Sequence, residues 1–192
     1  MRQRELHSKK LFEENQKALI NLPPRNDTET EIFNEFNFPE GVLKFEGQEF
    51  IFPKGFHSEI ISKWLEEALL SVEIKISAGI VAECARCLKS VSLEVSDNLM
   101  YLYYLQGDED EKEFEDLNDY MPVEVEYFGR VIDVMPQIQE SVITLLPMKV
   151  LCREDCKGIC PNCGKDLNEG ECNCKNEITD PRLEALQNFI VE

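Results

Sequence analysis

Eight cysteines fall into four close pairs, Cys84/Cys87, Cys152/Cys156, Cys160/Cys163 and Cys172/Cys174. Zinc takes four soft ligands tetrahedrally, and two cysteines a few residues apart can present both thiolates to one ion. Eight thiols therefore suffice for two closed four-cysteine sites, and two Zn2+ ions are the expected cofactors. Cys160-Pro161-Asn162-Cys163-Gly164 has the composition of a zinc knuckle. Pro161 pre-sets the first torsion of a tight turn, and Gly164 permits a positive φ after the second ligand. Such a turn lets backbone N–H groups point at the sulfurs and stabilise thiolate charge.

Local chain reversal, loosened by Gly170, can bring Cys172 and Cys174 back to this knuckle. Cys160, Cys163, Cys172 and Cys174 are thus one expected metal set (site 2). Cys84, Cys87, Cys152 and Cys156 form the other (site 1), which joins segments more than sixty residues apart. Pairing Cys152/Cys156 with Cys160/Cys163 is also sterically conceivable, leaving the outer pairs free or sharing a second ion.

Other chemistries fit less well. A thioredoxin-like dithiol sits at a helix start within a βαβ unit. Here Cys84/Cys87 lies between strand patterns and Cys160/Cys163 in a loop; Arg86 could depress a nearby thiol pKa, but a solvated arginine is the simpler reading. A hydrolytic zinc site needs an open coordination position and a general base. The two histidines, His7 and His57, are remote in sequence from every cysteine pair, and His57 reads as a surface or helix-entry residue. Glu154 and Asp155 lie between ligands but read as solvent-facing. No catalytic residue is expected, and the protein is expected not to be an enzyme.

Several elements must position these pairs. Val72, Ile74, Ile76, Ala78, Ile80 and Ala82 alternate with mostly polar residues, as do Val91, Leu93, Val95, Leu99, Tyr101 and Tyr103. This is the period of strands with one buried face. Cys84/Cys87 then lies at the turn of an antiparallel pair. Residues 42–45 and 49–52 read as a hairpin, and Val123, Val125 and Tyr127 as one more strand. Ser58–Leu70 places Ile60, Ile61, Trp64, Leu65, Ala68 and Leu69 on one helical face behind a Ser58 N-cap. A second helix begins with Asp133 as its N-cap, with Val134, Met135, Ile138, Val142, Ile143 and Leu146 on one face, Pro136 in its first turn and Pro147 at its end. A third begins at Asp180-Pro181. Residues 1–40 read as irregular, with a faint helical pattern over Lys9–Ile20 halted by Pro23-Pro24. Trp64, Tyr101, Tyr103 and Tyr104 fit core faces better than a stacking platform for bases.

The expected architecture is α+β: a twisted antiparallel sheet, a few packing helices and a C-terminal cysteine-rich zinc-binding lobe. Its expected parts are an N-terminal extension (1–40), a main domain (41–150) and a cysteine-rich segment (151–192) whose final helix packs on that domain. The cysteine-rich stretch has too few apolar residues for a core of its own, so metal must shape it.

The formal charge is −18, from 38 acidic and 20 basic residues of 192. Eight acids and one lysine crowd residues 108–119, the composition of a solvated loop. Such acidity opposes long-range attraction to nucleic acid and favours a basic partner. No apolar run is long enough for a membrane helix, and the polar, charged start lacks a signal core. A cytoplasmic location is expected, where thiols stay reduced.

The assembled motifs resemble the bacterial YceD family: Cys84-Ala85-Arg86-Cys87-Leu88, Ile132-Asp133-Val134, Leu145-Leu146-Pro147, the run from Cys152 through Gly164, Leu167-Asn168 and Asp180-Pro181-Arg182-Leu183. The resemblance covers roughly Ser71–Ile190. It implies a non-catalytic role in accumulation of large-subunit ribosomal RNA, acting on a basic ribosomal protein or a pre-ribosomal large-subunit particle. A zinc-scaffolded adaptor outside ribosome assembly is the main rival, and a thiol-based redox protein a lesser one.

Overall fold

The structure is a computed structural model that describes residues 10–25, 27–105, 120–125 and 128–174. In chain order its elements are β1 (Leu19–Asn21), β2 (Ile32–Phe38), β3 (Gly41–Phe45), β4 (Gln48–Phe52), β5 (Phe56–Glu66), β6 (Leu69–Glu83), β7 (Ser90–Leu105), β8 (Tyr120–Val125), β9 (Val131–Asp133) and helix α1 (Met135–Leu145). The chain is thus mostly antiparallel sheet, with one helix among the described residues.

Strand β6 organises the rest. Its even-numbered residues from Leu70 to Ala82 are buried, as two-residue periodicity demands of a sheet with one covered face. One edge of β6 pairs with β7 along its whole length, from Leu69 opposite Tyr104 to Glu83 opposite Ser90. The other edge pairs first with β5 and then, near Ala82, with β4. Beyond these lie β2 on β5 and β3 on β4. The β3–β4 hairpin is as expected; its turn residues Glu46 and Gly47 take φ of 48° and 79°, which suits the twist of a two-residue loop. Trp64, Tyr101, Tyr103 and Tyr104 are all buried.

Three expectations need correction. Ser58–Leu70 is not a helix: β5 runs through Phe56–Glu66 and buries Phe56, Ser58, Ile60, Ser62 and Trp64 in strict alternation. Two inward serines hide that alternation, while Ile61 and Leu65 on the opposite face complete a false helical stripe. Residues 10–20 hold no helix, and the span read as irregular contributes β1 and β2, the latter in register with β5 from Ile32 to Phe38. The sheet is also not antiparallel throughout, because β8 runs parallel to β7. The fourteen residues between them are ample for the crossover that parallel neighbours need. The acidic run 108–119, Tyr127 and the helix expected after Asp180 lie outside the described residues.

Helix α1 covers the buried face, with Val134, Met135, Ile138, Val142 and Leu146 inward and Ile143 exposed. Tyr101 of β7 donates or accepts a hydrogen bond with Ser141 Oγ at 3.0 Å and reaches the Gln137 carbonyl at 3.1 Å. Asp133 does not cap α1 through the N-cap position, which Val134 occupies. Its Oδ1 instead accepts the N–H groups of Met135 and Ala18, both at 3.0 Å. That one carboxylate fixes the helix entry and the small β1–β9 sheet together. Trp64 packs edge-on against Phe128 at 4.9 Å and donates its indole N–H to the Pro23 carbonyl.

The inward serines allow a test of β5. The Ser62 hydroxyl is buried without a hydrogen-bond partner among the described residues, a state that costs about 1–3 kcal/mol. Ser62→Ala is expected to raise the urea midpoint, with a gain of about 1 kcal/mol; an unchanged or lowered midpoint would count against an orphaned hydroxyl there.

Candidate metal centre

The turn between β6 and β7 and the turn at Cys160–Cys163 share one hydrogen-bond pattern. In the first, the Cys84 N–H donates to the Lys89 carbonyl at 2.8 Å and the Leu88 N–H to the Cys84 carbonyl at 2.9 Å. In the second, the Cys160 N–H donates to the Lys165 carbonyl at 2.8 Å and the Gly164 N–H to the Cys160 carbonyl at 2.9 Å. The residue after the second cysteine is left-handed in both, with φ of 59° at Leu88 and 72° at Gly164. Both turns are therefore knuckles, although only one carries the glycine that suits the conformation.

Helix α1 ends at Leu145, where Pro147 cannot continue it, and the chain returns to the first knuckle. The Ala85 N–H donates to the carbonyl of buried Val150 at 2.8 Å. This contact carries Cys152 and Cys156 to Cys84 and Cys87. Facing sulfurs are 3.8 Å apart between Cys84 and Cys156 and 3.5 Å apart between Cys87 and Cys152. The four sulfurs of Cys84, Cys87, Cys152 and Cys156 all lie within 4.8 Å of one another, as do those of Cys160, Cys163, Cys172 and Cys174. All eight are free thiols. Zn–S bonds of about 2.3 Å make the edge of a zinc–sulfur tetrahedron about 3.8 Å, so either set could hold one metal ion. The structure brings the expected residues together in the expected two groups; the alternative grouping of Cys152/Cys156 with Cys160/Cys163 does not occur.

The electrostatics favour an ion as well. Burial opposes ionisation of Cys84, but the N–H groups of Arg86, Cys87 and Cys152 outweigh it and bring the thiol down to about 6. The N–H groups of Cys163 and Asn162 lead in bringing Cys160 down to about 6. Hydrogen bonding with Cys87, then burial, pushes Cys152 up to about 12. Cys163 and burial do the same to Cys174, also to about 12. Burial opposes ionisation of Cys156 too, but bonds led by the Asn168 amide and the Gly158 N–H lower it. Each set thus holds a lowered thiol beside a raised one, as crowded like charges require, and a cation would relieve that crowding.

Side chains that composition did not single out build the surroundings of site 1. The Arg86 guanidinium donates from Nη1 to the carbonyls of Cys156 at 2.7 Å and Glu154 at 3.2 Å. Though exposed, as a surface arginine should be, it also clamps the second cysteine segment. The Arg86 carbonyl accepts the Ile159 N–H at 3.2 Å. A Cβ on Gly158 would approach that carbonyl to 2.9 Å, and Gly158 has φ of 78°, so glycine is required there twice over. Lys89 pairs with Asp166 at 2.6 Å and Glu169 at 3.0 Å, which holds the Asp166 carboxyl below its ordinary range. Asn168 donates from Nδ2 to Cys156 Sγ at 3.4 Å. Gly158 and Asn168 fall within the runs that carried the family resemblance, the one signal that could have marked them.

His57 lies on β5, hydrogen-bonded to Asn37 Oδ1 at 3.0 Å and near Glu59, away from both sulfur sets. His7 lies outside the described residues. Glu154 and Asp155 are exposed. No helix of the described residues is long and apolar enough to cross a membrane.

A β-sheet protein whose longest hairpin ends in one half of a four-cysteine set defines the class. The family of large ribosomal RNA subunit accumulation protein YceD matches residues 72–190, a span that holds all eight cysteines, and the chain belongs to that family. An uncharacterized protein of Mycobacterium tuberculosis is 37% identical over 116 residues, covering 58% of this chain and 51% of that protein. The uncharacterized protein YlbN of Bacillus subtilis is 27% identical over 125 residues, 63% of this chain and 66% of that one. A chloroplastic large ribosomal RNA subunit accumulation protein homologue of Arabidopsis thaliana is 33% identical over 58 residues, 30% of this chain and 18% of that protein. The chain spans about half the length of the mycobacterial relatives it matches. No solved structure matches it.

Two outcomes follow from the knuckles. Leu88 is 57% exposed, so its side chain adds little packing while its left-handed backbone costs about 1–2 kcal/mol. Leu88→Gly is expected to stabilise the protein by up to about 1 kcal/mol after the added flexibility of the unfolded chain is counted, read as a rise in melting temperature. Cys87→Ser should lower the melting temperature more than Cys174→Ser, since site 1 joins distant segments and site 2 closes locally. Equal shifts would count against that division.

Proposed function

We propose that this protein is a non-enzymatic zinc-binding factor in the accumulation of large-subunit ribosomal RNA, acting in ribosome biogenesis. The observation that carries the reading is the family match across residues 72–190, which contains both four-sulfur sets. The chloroplastic homologue of Arabidopsis thaliana bears the same description in its name. Zinc is the ion that four-thiolate sets of this spacing suit best. Each set supplies four protein ligands, which leaves no coordination position for a substrate and assigns the ions a structural role. The α+β domain and its zinc-bound lobe then form a scaffold that presents a surface. A formal charge of −18 favours a basic partner, such as a ribosomal protein, or an assembly particle that carries one.

The test has two arms. Elemental analysis of purified protein should find close to two zinc ions per chain, and prolonged chelation should release them with loss of the melting transition. Tagged protein from growing cells should co-sediment with precursor large subunits, and depletion should lower large-subunit RNA relative to small. Zinc without co-sedimentation and with normal RNA levels would move the protein to an adaptor role elsewhere. Eight reactive thiols and no metal would favour the redox reading.

A further inference from the structure

Site 1 does not complete its own surroundings. Its buried Cys156 receives a hydrogen bond from Asn168 Nδ2 at 3.4 Å, and Asn168 belongs to the loop that Cys163 and Cys172 of site 2 close. The orientation of that amide is dictated by its partners. Its Oδ1 faces two donors, the Lys157 N–H and Arg153 Nη2, both at 2.8 Å. Nδ2 must therefore turn toward Cys156 Sγ and Asp166 Oδ1, the latter at 2.7 Å. The Asn168 N–H also donates to Asp166 Oδ1 at 2.8 Å.

The same loop grips the first knuckle from outside. Lys89, two residues beyond Cys87, reaches Asp166 and Glu169. A short antiparallel bridge pairs Ile159 with Asp166, and the Leu167 N–H donates to the Gly158 carbonyl at 2.9 Å. Residues 166–169 thus touch both ligand segments of site 1, while their own conformation is closed by the ligands of site 2.

We infer that the two four-cysteine sets bind metal cooperatively, with Asn168 as the positioning residue that couples them. This rests on the metal-binding reading above. Closing site 2 orders residues 164–171, and that order places the Asn168 amide on Cys156 and the two carboxylates on Lys89. Site 1 then receives a thiolate whose charge is already shared by a donor. Outer-shell donors of this kind are commonly worth about 10–100-fold in metal affinity. Coupling between binding sites is reciprocal, so occupied site 1 strengthens site 2 by the same factor.

The experiment measures Zn2+ affinity by competition with a chromophoric chelator, with Co2+ absorption reporting four-thiolate coordination. It compares the wild-type chain, Cys163→Ser/Cys172→Ser (site 1 alone), Cys87→Ser/Cys152→Ser (site 2 alone) and Asn168→Ala. The product of the two wild-type association constants is expected to exceed the product of the two single-site constants by about tenfold or more. Asn168→Ala should still take up two ions with four-thiolate spectra but lose most of that excess. Equal products, with wild-type affinities in Asn168→Ala, would overturn the coupling while leaving the metal reading intact. If the single-site variants do not fold, native mass spectrometry of the half-loaded wild-type chain decides: depletion of the one-zinc form supports coupling, and a statistical one-zinc population overturns it. A wild-type chain that takes up no metal overturns the metal reading and this inference with it.

Discussion

The turn at the end of the longest hairpin must stay docked on a chain segment more than sixty residues further on. The direct backbone contacts at that joint include the Ala85 N–H on the Val150 carbonyl and the Ile159 N–H on the Arg86 carbonyl. Each is worth only about 1 kcal/mol net, too little to hold an exposed turn against chain entropy. Four converging sulfurs change the balance. Without a cation they are a liability, a cluster in which each further ionisation is resisted by the last. With one, the same repulsion becomes four bonds, and the sheet, the helix and the cysteine-rich lobe share a common anchor.

The inner face of the sheet follows from the same economy of contacts. Strand β6 is buried along one side and paired along both edges, so its neighbours inherit their register from it. Helix α1 seals that face and, by ending at a proline, directs the chain back toward the β6–β7 turn. Asp133 settles where the helix begins, and Pro147 where it stops. Between these two residues, the distance from the sheet to the second ligand pair is set.

Much of this was legible in the sequence where one physical signal dominated. β6 and β7 alternate cleanly, α1 has a continuous apolar face and a proline at each end, and cysteine spacing separates a local set from a long-range one. β5 resembles a helix in sequence because its inward positions include Ser58 and Ser62, while Ile61 and Leu65 point outward; apolarity and burial part company there. The parallel placement of β8 is a tertiary outcome that alternation cannot express. At the candidate metal centre, the two sulfur groupings are readable but their support is not. Arg86, Lys89, Asp166 and Asn168 are ordinary polar residues whose importance comes from what the fold places beside them. Leu88 was hidden for a related reason: its left-handed backbone is enforced by the knuckle's hydrogen bonds and not advertised by residue type.

The unequal spans of the two sets have a consequence for how the chain reaches its final form. Cys84 and Cys156 are separated by 72 positions, whereas site 2 lies wholly within the short stretch from Cys160 to Cys174. Closing the longer span costs about 1.4 kcal/mol more in chain entropy, and it also waits on a formed hairpin and helix. Site 2 needs neither. A full-length chain refolding with metal present could therefore close site 2 as a local event, before the sheet is complete. The long-range clamp would close afterwards, as the step that commits the whole molecule.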